Sequence, residues 1–149
     1  MEIRKFTGFE FANYMYDFDK YKYRIYADRE GVFEGFHYFA VSCLNATFDG
    51  ENVIAAIDKG EVVGVLFFGE YGFPGSKQQA LSFIDVHKDY RRQGIAKMMA
   101  KELYNHIDHD RPFYLSQLSE EGKRCHIDEI FKRSLFDVNV VTSLLDQRR

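Results

Sequence analysis

Tryptophan is absent from this chain of 149 residues, and cysteine and proline occur only twice each. Two thiols, Cys43 and Cys125, cannot build a disulfide scaffold, so a reducing cytosol is the simplest home. Long apolar runs are missing too. Val62 to Phe68 is among the longest, far short of the ~20 residues a membrane helix needs. No apolar stretch follows the charges of Met1 to Phe6, so no signal peptide is expected. Pro74 and Pro112 are the only prolines, and no Pro/Gly/Ser-rich linker divides the chain. One domain over residues 1–149 is therefore expected. An excess of positive charge is also lacking. The net charge of −3 and a pI near 5.9 argue against a general nucleic-acid binder.

What is present is a globular composition, 46% apolar and 29% charged. Aromatic residues are plentiful, with 15 Phe and 10 Tyr. Thirteen of these 25 lie between Phe6 and Phe39. Periodicity predicts a short strand over Glu2 to Phe6, then helical segments over Gly8 to Tyr26 and Gly35 to Ala46. Phe11, Tyr14, Met15 and Phe18 share one face of the first. Asn52 to Ile57 and Val62 to Tyr71 read as a hairpin around Asp58-Lys59-Gly60-Glu61. Gly72 to Lys77 reads as a loop and Gln79 to Val86 as a third strand. A helix over Gly94 to Ile107, a strand over Phe113 to Leu118, a helix over Glu120 to Arg133 and a last strand over Phe136 to Leu144 complete an α+β order with one βαβ crossover.

The chemistry concentrates after Val86. Tyr90-Arg91-Arg92-Gln93-Gly94-Ile95-Ala96 crosses from a strand end into a helix start. Unpaired N–H groups and the helix dipole make such a start an anion site. Gly94 and Ala96 keep side chains out of the way. Lys88, Arg91, Arg92, Lys97 and Lys101 stand against Asp89 alone, a local +4 on an acidic chain. A small phosphorylated ligand fits this island, although an Arg-rich turn can be purely structural. Neither a P-loop nor a dinucleotide fingerprint is present.

Those residues resemble motif A of the GNAT (GCN5-related N-acetyltransferase) family. Its pattern is a strand-end Val, then Arg/Gln-x-x-Gly-x-Gly/Ala, filled here by Val86, Arg91, Gly94 and Ala96. The resemblance implies a GNAT-like acyl-CoA acyltransferase fold. That fold has a central mixed, mostly antiparallel sheet flanked by helices, with a splayed parallel strand pair forming the CoA cleft. It also implies acetyl-CoA as co-substrate. The pyrophosphate would lie on the amides of Arg92, Gln93, Gly94, Ile95, Ala96 and Lys97, with Arg91 at the motif's first position. The pantetheine arm would pair with Ile84 to Val86. The activity implied is acetyl transfer to a primary amine of a small molecule or peptide by direct attack on the thioester.

The pattern departs from the family on the catalytic side, where neither the usual acid nor the Glu that some members place near the start of the motif strand is present; Gln79, Ala80 and Ser82 stand there instead. The tyrosine that serves many members as general acid is replaced by Phe131, and Leu135-Phe136 stands where Gly-Phe is expected. A catalytically silent acyl-CoA-binding or regulatory module is therefore the alternative. Asp85 is the candidate base on the motif strand, with a structural carboxylate as the competing reading. Glu70, Tyr71 and a water chain are further candidates. Tyr21, Tyr23 and Tyr26 are candidates for the acceptor pocket, which the family builds from the N-terminal helices and the loop after the hairpin. No metal, nucleic acid or membrane partner is expected, and homodimerisation is left open. His106 with His109, and Cys125 with His126, carry no chemistry in this reading.

Overall fold

A capping box opens the first helix. Glu10 N–H donates to Thr7 Oγ1 at 3.1 Å, and Thr7 N–H donates to Glu10 Oε1 at 2.8 Å. The backbone bond from Thr7 holds the Glu10 carboxyl below its usual range. This exchange turns β1 (Glu2–Thr7) directly into α1 (Gly8–Asp17). The computed structural model describes residues 1–17, 51–72, 75–115 and 126–142. The expected continuation of the first helix to Tyr26 and the helix over Gly35 to Ala46 lie outside them.

The hairpin forms as expected. β2 (Asn52–Asp58) and β3 (Glu61–Tyr71) meet at a two-residue turn. Lys59 and Gly60 both adopt positive φ, 53° and 81°, the backbone a tight hairpin requires. Val53 to Ile57 and Val62 to Gly69 are buried without interruption. Such runs mean that both faces of the sheet are covered. On one face α1 lays Phe11 against Phe6 and Phe67, with ring centroids 5.5 and 6.0 Å apart. The other face carries α2 (Ile95–Leu103) and α3 (Ile127–Ser134), through Ile95, Met99, Leu103, Ile127 and Phe131. Gly64 lets α2 approach: a Cβ there would lie 3.2 Å from Ile95 Cγ2.

The six-stranded sheet has the order β1-β2-β3-β4-β5-β6. β4 (Gln78–Val86) runs antiparallel to β3. β5 (Phe113–Leu115) runs parallel to β4, and β6 (Val140–Val141) runs parallel to β5. The sheet is thus mixed and mostly antiparallel, with a second parallel junction at β6. No helix among the described residues is long and apolar enough to cross a membrane.

Three boundaries differ from the sequence expectation. The helix predicted over Glu120 to Arg133 begins, among the described residues, at Ile127, because His126 takes a left-handed φ of 55° that no helix continues through. The helix predicted to reach Ile107 ends at Leu103 and tightens into a 3-10 turn over Tyr104–His106. There the His109 ring lies against the Tyr104 carbonyl, Nε2 to O 2.6 Å. The strand predicted from Phe136 shortens, among the described residues, to Val140–Val141. Phe136 instead stacks on Tyr104 at 5.2 Å, and the Tyr104 hydroxyl donates to Asp137 at 2.8 Å. Val138 N–H donates to Leu135 O, so this stretch is the turn that closes α3.

Candidate active site

His87 sets the phase of the ladder at the end of β4. Its N–H donates to Val63 O at 2.7 Å. By antiparallel alternation Phe83 and Asp85 turn their main-chain groups toward β3, while Ile84 and Val86 turn theirs away. The groups of Val86 are satisfied locally. Its N–H donates to Asp85 Oδ1 at 2.8 Å, and its C=O accepts from Arg91 Nε at 2.9 Å. Nothing among the described residues takes the outward groups of Ile84. The described pairing with β5 lies further back, at Ala80 and Leu81. From Ser82 to Val86 the strand is half-buried throughout, in contrast to β3. A register shift between Phe67 and Phe68 leaves Ser82 as the extra residue, with its hydroxyl 3.4 Å from Phe67 O. Such a bulge bends a strand and re-aims the residues beyond it.

The turn after β4 is anchored from below. His87 is 1% exposed, and its Nδ1 accepts from Asp89 N–H at 3.0 Å, which places any neutral-ring proton on Nε2. Its ring meets Tyr90 edge-on at 5.7 Å, and the Tyr90 hydroxyl donates to Asp58 Oδ2 at 3.0 Å. The turn is thereby tied to the β2–β3 hairpin. Arg91 folds back over the strand end, with Nη2 3.1 Å from Asp85 Oδ1.

Beyond Arg91 the chain adopts left-handed φ twice, 65° at Arg92 and 78° at Gly94. The first intrahelical bond is Met98 N–H to Gly94 O. The N–H groups of Arg92 through Lys97 find no acceptor among the described residues. A Cβ on Gly94 would meet no atom within 4 Å, so it would project into open space. Beside this helix start lies a cavity of about 240 Å³ lined by Lys97, His126, Glu129, Ile130, Arg133 and Ser134. Three of these six side chains are basic in type. The geometry can receive an anion: amides point outward at a helix start, with cationic side chains at the rim.

The other expected residues are mostly engaged with protein partners. Asp85 bonds Arg91 and the Val86 N–H, and its side chain is 16% exposed. Phe131 is fully buried and lies parallel to Phe113, with centroids 6.3 Å apart. Glu70 is paired with Arg111, which also bonds Asp108 at 3.1 Å. Tyr71 donates its hydroxyl to Glu51. Tyr21, Tyr23 and Tyr26 lie outside the described residues, as does Cys125. His106 pairs with Glu102 one turn back in the chain. No group of three or more His, Cys, Asp or Glu able to hold a metal stands among the described residues. Sequence reasoning gave no side-chain role to His87, Tyr90, Asp58 or Glu51. The Tyr90–Asp58 and Glu51–Tyr71 bonds join residues distant in the chain, which no local pattern signals, whereas the His87 side chain finds its partners locally, at Asp89 and Tyr90.

Sheet topology and turn together define an α+β fold with an anion-receiving helix start beside a parallel strand junction. Residues 12–130 match the model of the acetyltransferase (GNAT) family, and the chain belongs to that family of N-acetyltransferases. No curated protein matches the chain at a significant level. Solved structures share its fold at low identity. One is described as a possible acetyltransferase from Clostridium difficile 630: TM-score 0.54, 14% identity, 87% of this chain and 88% of that one covered. The aminoglycoside N-acetyltransferase AAC(6')-Iy, solved with CoA, has a TM-score of 0.52 at 15% identity, covering 90% and 89%. An aminoglycoside acetyltransferase from an uncultured soil metagenomic sample, solved with sisomicin, has a TM-score of 0.54 at 13% identity, covering 90% and 86%.

Proposed function

We propose that the protein moves the acetyl group of acetyl-CoA to a primary amine of a small molecule or peptide, by direct attack of the amine on the thioester. The observation that carries this reading is the run of acceptor-free N–H groups from Arg92 to Lys97. It fits a pyrophosphate in charge, in donor count and in the absence of side chain at Gly94. Lys97 and Arg133, at the rim of the neighbouring cavity, add positive charge. Ile84 offers one N–H and one C=O to an amide-bearing arm laid along β4, as an added strand would be. The CoA-bound structure of a protein of the same fold is consistent with this reading. Acetyl-CoA, when bound, supplies the acetyl group as an activated thioester. The chain's own groups orient it: amides at the turn, Ile84 along the strand, and Val86 held out of that ladder by Asp85 and Arg91. Two cysteines in 149 residues support a reducing cytosol as the compartment.

In this reading Asp85 positions the turn through Arg91. Replacing Asp85 by Ala removes one of the bonds that hold Arg91 and the acceptor of the Val86 N–H. Acetyl-CoA affinity should fall about tenfold, the size of one lost charge-assisted bond, with kcat at saturating acetyl-CoA within about twofold. Calorimetry and steady-state kinetics separate the two effects. A large fall in kcat at unchanged affinity would make Asp85 the base instead.

A further inference from the structure

Glu51 is a carboxylate in the wrong place for a structural residue. It is 6% exposed, just ahead of β2. Its main chain has a structural task, since Gly8 N–H donates to Glu51 O at 2.7 Å and closes the start of α1. Its side chain has no such task. Among the described residues the Tyr71 hydroxyl is its one donor, through Oε1, and no cation pairs with it. Buried carboxylates are normally paired with a cation or bonded through both oxygens, because burial otherwise costs several kcal/mol. Among the described residues Oε2 therefore has no donor, beside a partner that is held.

Sheet register places the pair on a particular row. A Cβ on Gly69 would lie 3.5 Å from Glu51 Cα and 3.4 Å from the Tyr71 hydroxyl, so Glu51 and Gly69 are neighbours across β2 and β3. Gly69 pairs with Ala80, and Ala80 with Tyr114 on β5. Phe113 and Leu115 are buried on the α2/α3 face, so Tyr114 between them belongs to the α1 face. The row from Glu51 ends at the parallel junction of β4 and β5. From β2 to β4 is two strand spacings, about 10 Å.

We infer that Glu51, held by Tyr71, anchors an ammonium group of the acceptor about two strands away from the nitrogen that is acetylated. The inference rests on the acetyl-transfer reading for the second nitrogen only; the ammonium site itself stands on Glu51. The acceptor class is then an amine that carries another positive charge.

The test is carbon-13 NMR of protein labelled at the glutamate side-chain carboxyl carbon, with Glu51 assigned by its loss in Glu51→Gln. Heptylammonium chloride should shift the Glu51 resonance saturably, and the neutral isostere 1-heptanol should not. Glu51→Asp should retain saturable ammonium binding, and Glu51→Gln should weaken it by about tenfold or more. No saturable shift, an equal shift with heptanol, or unchanged affinity in Glu51→Gln overturns the proposal. In acetyl transfer 1,7-diaminoheptane should outpace heptylamine about tenfold, a preference lost in Glu51→Gln; equal turnover of the two amines by the unaltered protein overturns the two-charge acceptor. Acetyl-CoA calorimetry on the same samples keeps the readings apart. Ammonium binding without acetyl-CoA binding would sink the acetyl-transfer reading and leave the Glu51 site standing.

Discussion

Gly94→Leu should abolish acetyl-CoA binding, by about 100-fold or more, in a protein that remains folded. The two effects have separate physical origins. Gly94 sits at φ 78°, which costs a non-glycine residue about 1–2 kcal/mol. Nothing else resists the substitution, because a Cβ at this position meets no atom within 4 Å. Arg92 already sustains a φ of 65° two residues earlier, so the turn tolerates a side chain in this conformation. The ligand would not tolerate it. A leucine stands in front of the amides that follow it, and losing two charge-assisted bonds to phosphate costs about 3 kcal/mol, roughly 100-fold. Thermal unfolding reads the first effect and calorimetry the second. Unchanged affinity in a folded variant would make the turn a structural feature and remove the case for acetyl-CoA.

The second large effect is expected at Phe131, where many family members carry a catalytic tyrosine. The side chain is fully buried, stacked parallel to Phe113, between α3 and the strand that β4 pairs with. Phe131→Tyr should therefore cost about 1–3 kcal/mol, because its hydroxyl enters an apolar cluster without a partner. It should bring no gain in turnover. Phe131→Ala should cost about 3–5 kcal/mol by opening a cavity. In a protein of this size that lowers Tm by roughly 10 °C. Urea unfolding measures both. A Phe131→Tyr variant of unchanged stability and faster acetyl transfer would mean that the ring reaches the leaving thiolate after all.

The strand–turn–helix proposed to receive acetyl-CoA was legible because its chemistry is local. Val86, Arg91, Gly94 and Ala96 span eleven positions, and every feature they imply is made within one turn of backbone. The hairpin was legible for the same reason, since Lys59 and Gly60 set the register of Asp58 against Glu61. What escaped depends on partners far along the chain. The Glu51–Tyr71 bond joins residues twenty positions apart, and the Tyr90–Asp58 bond joins residues thirty-two apart. The bulge at Ser82 arises from the pairing of β4 with β3 and leaves no mark on local composition. The final strand is shorter than its pattern suggests because Phe136 looks apolar and buried in sequence, yet it is 75% exposed and packs on Tyr104. The N-terminal aromatics divide. Phe6 and Phe11 are core, Tyr14 packs beside them, and Tyr21, Tyr23 and Tyr26 belong to the residues outside those described.

The central claim is that this chain binds acetyl-CoA at the turn after β4 and uses it. Titration of the unaltered protein with acetyl-CoA in a calorimeter addresses that most directly. The account predicts saturable one-to-one binding in the micromolar range that is lost in Gly94→Leu. No detectable heat at high micromolar acetyl-CoA, from protein shown to be folded, would contradict it.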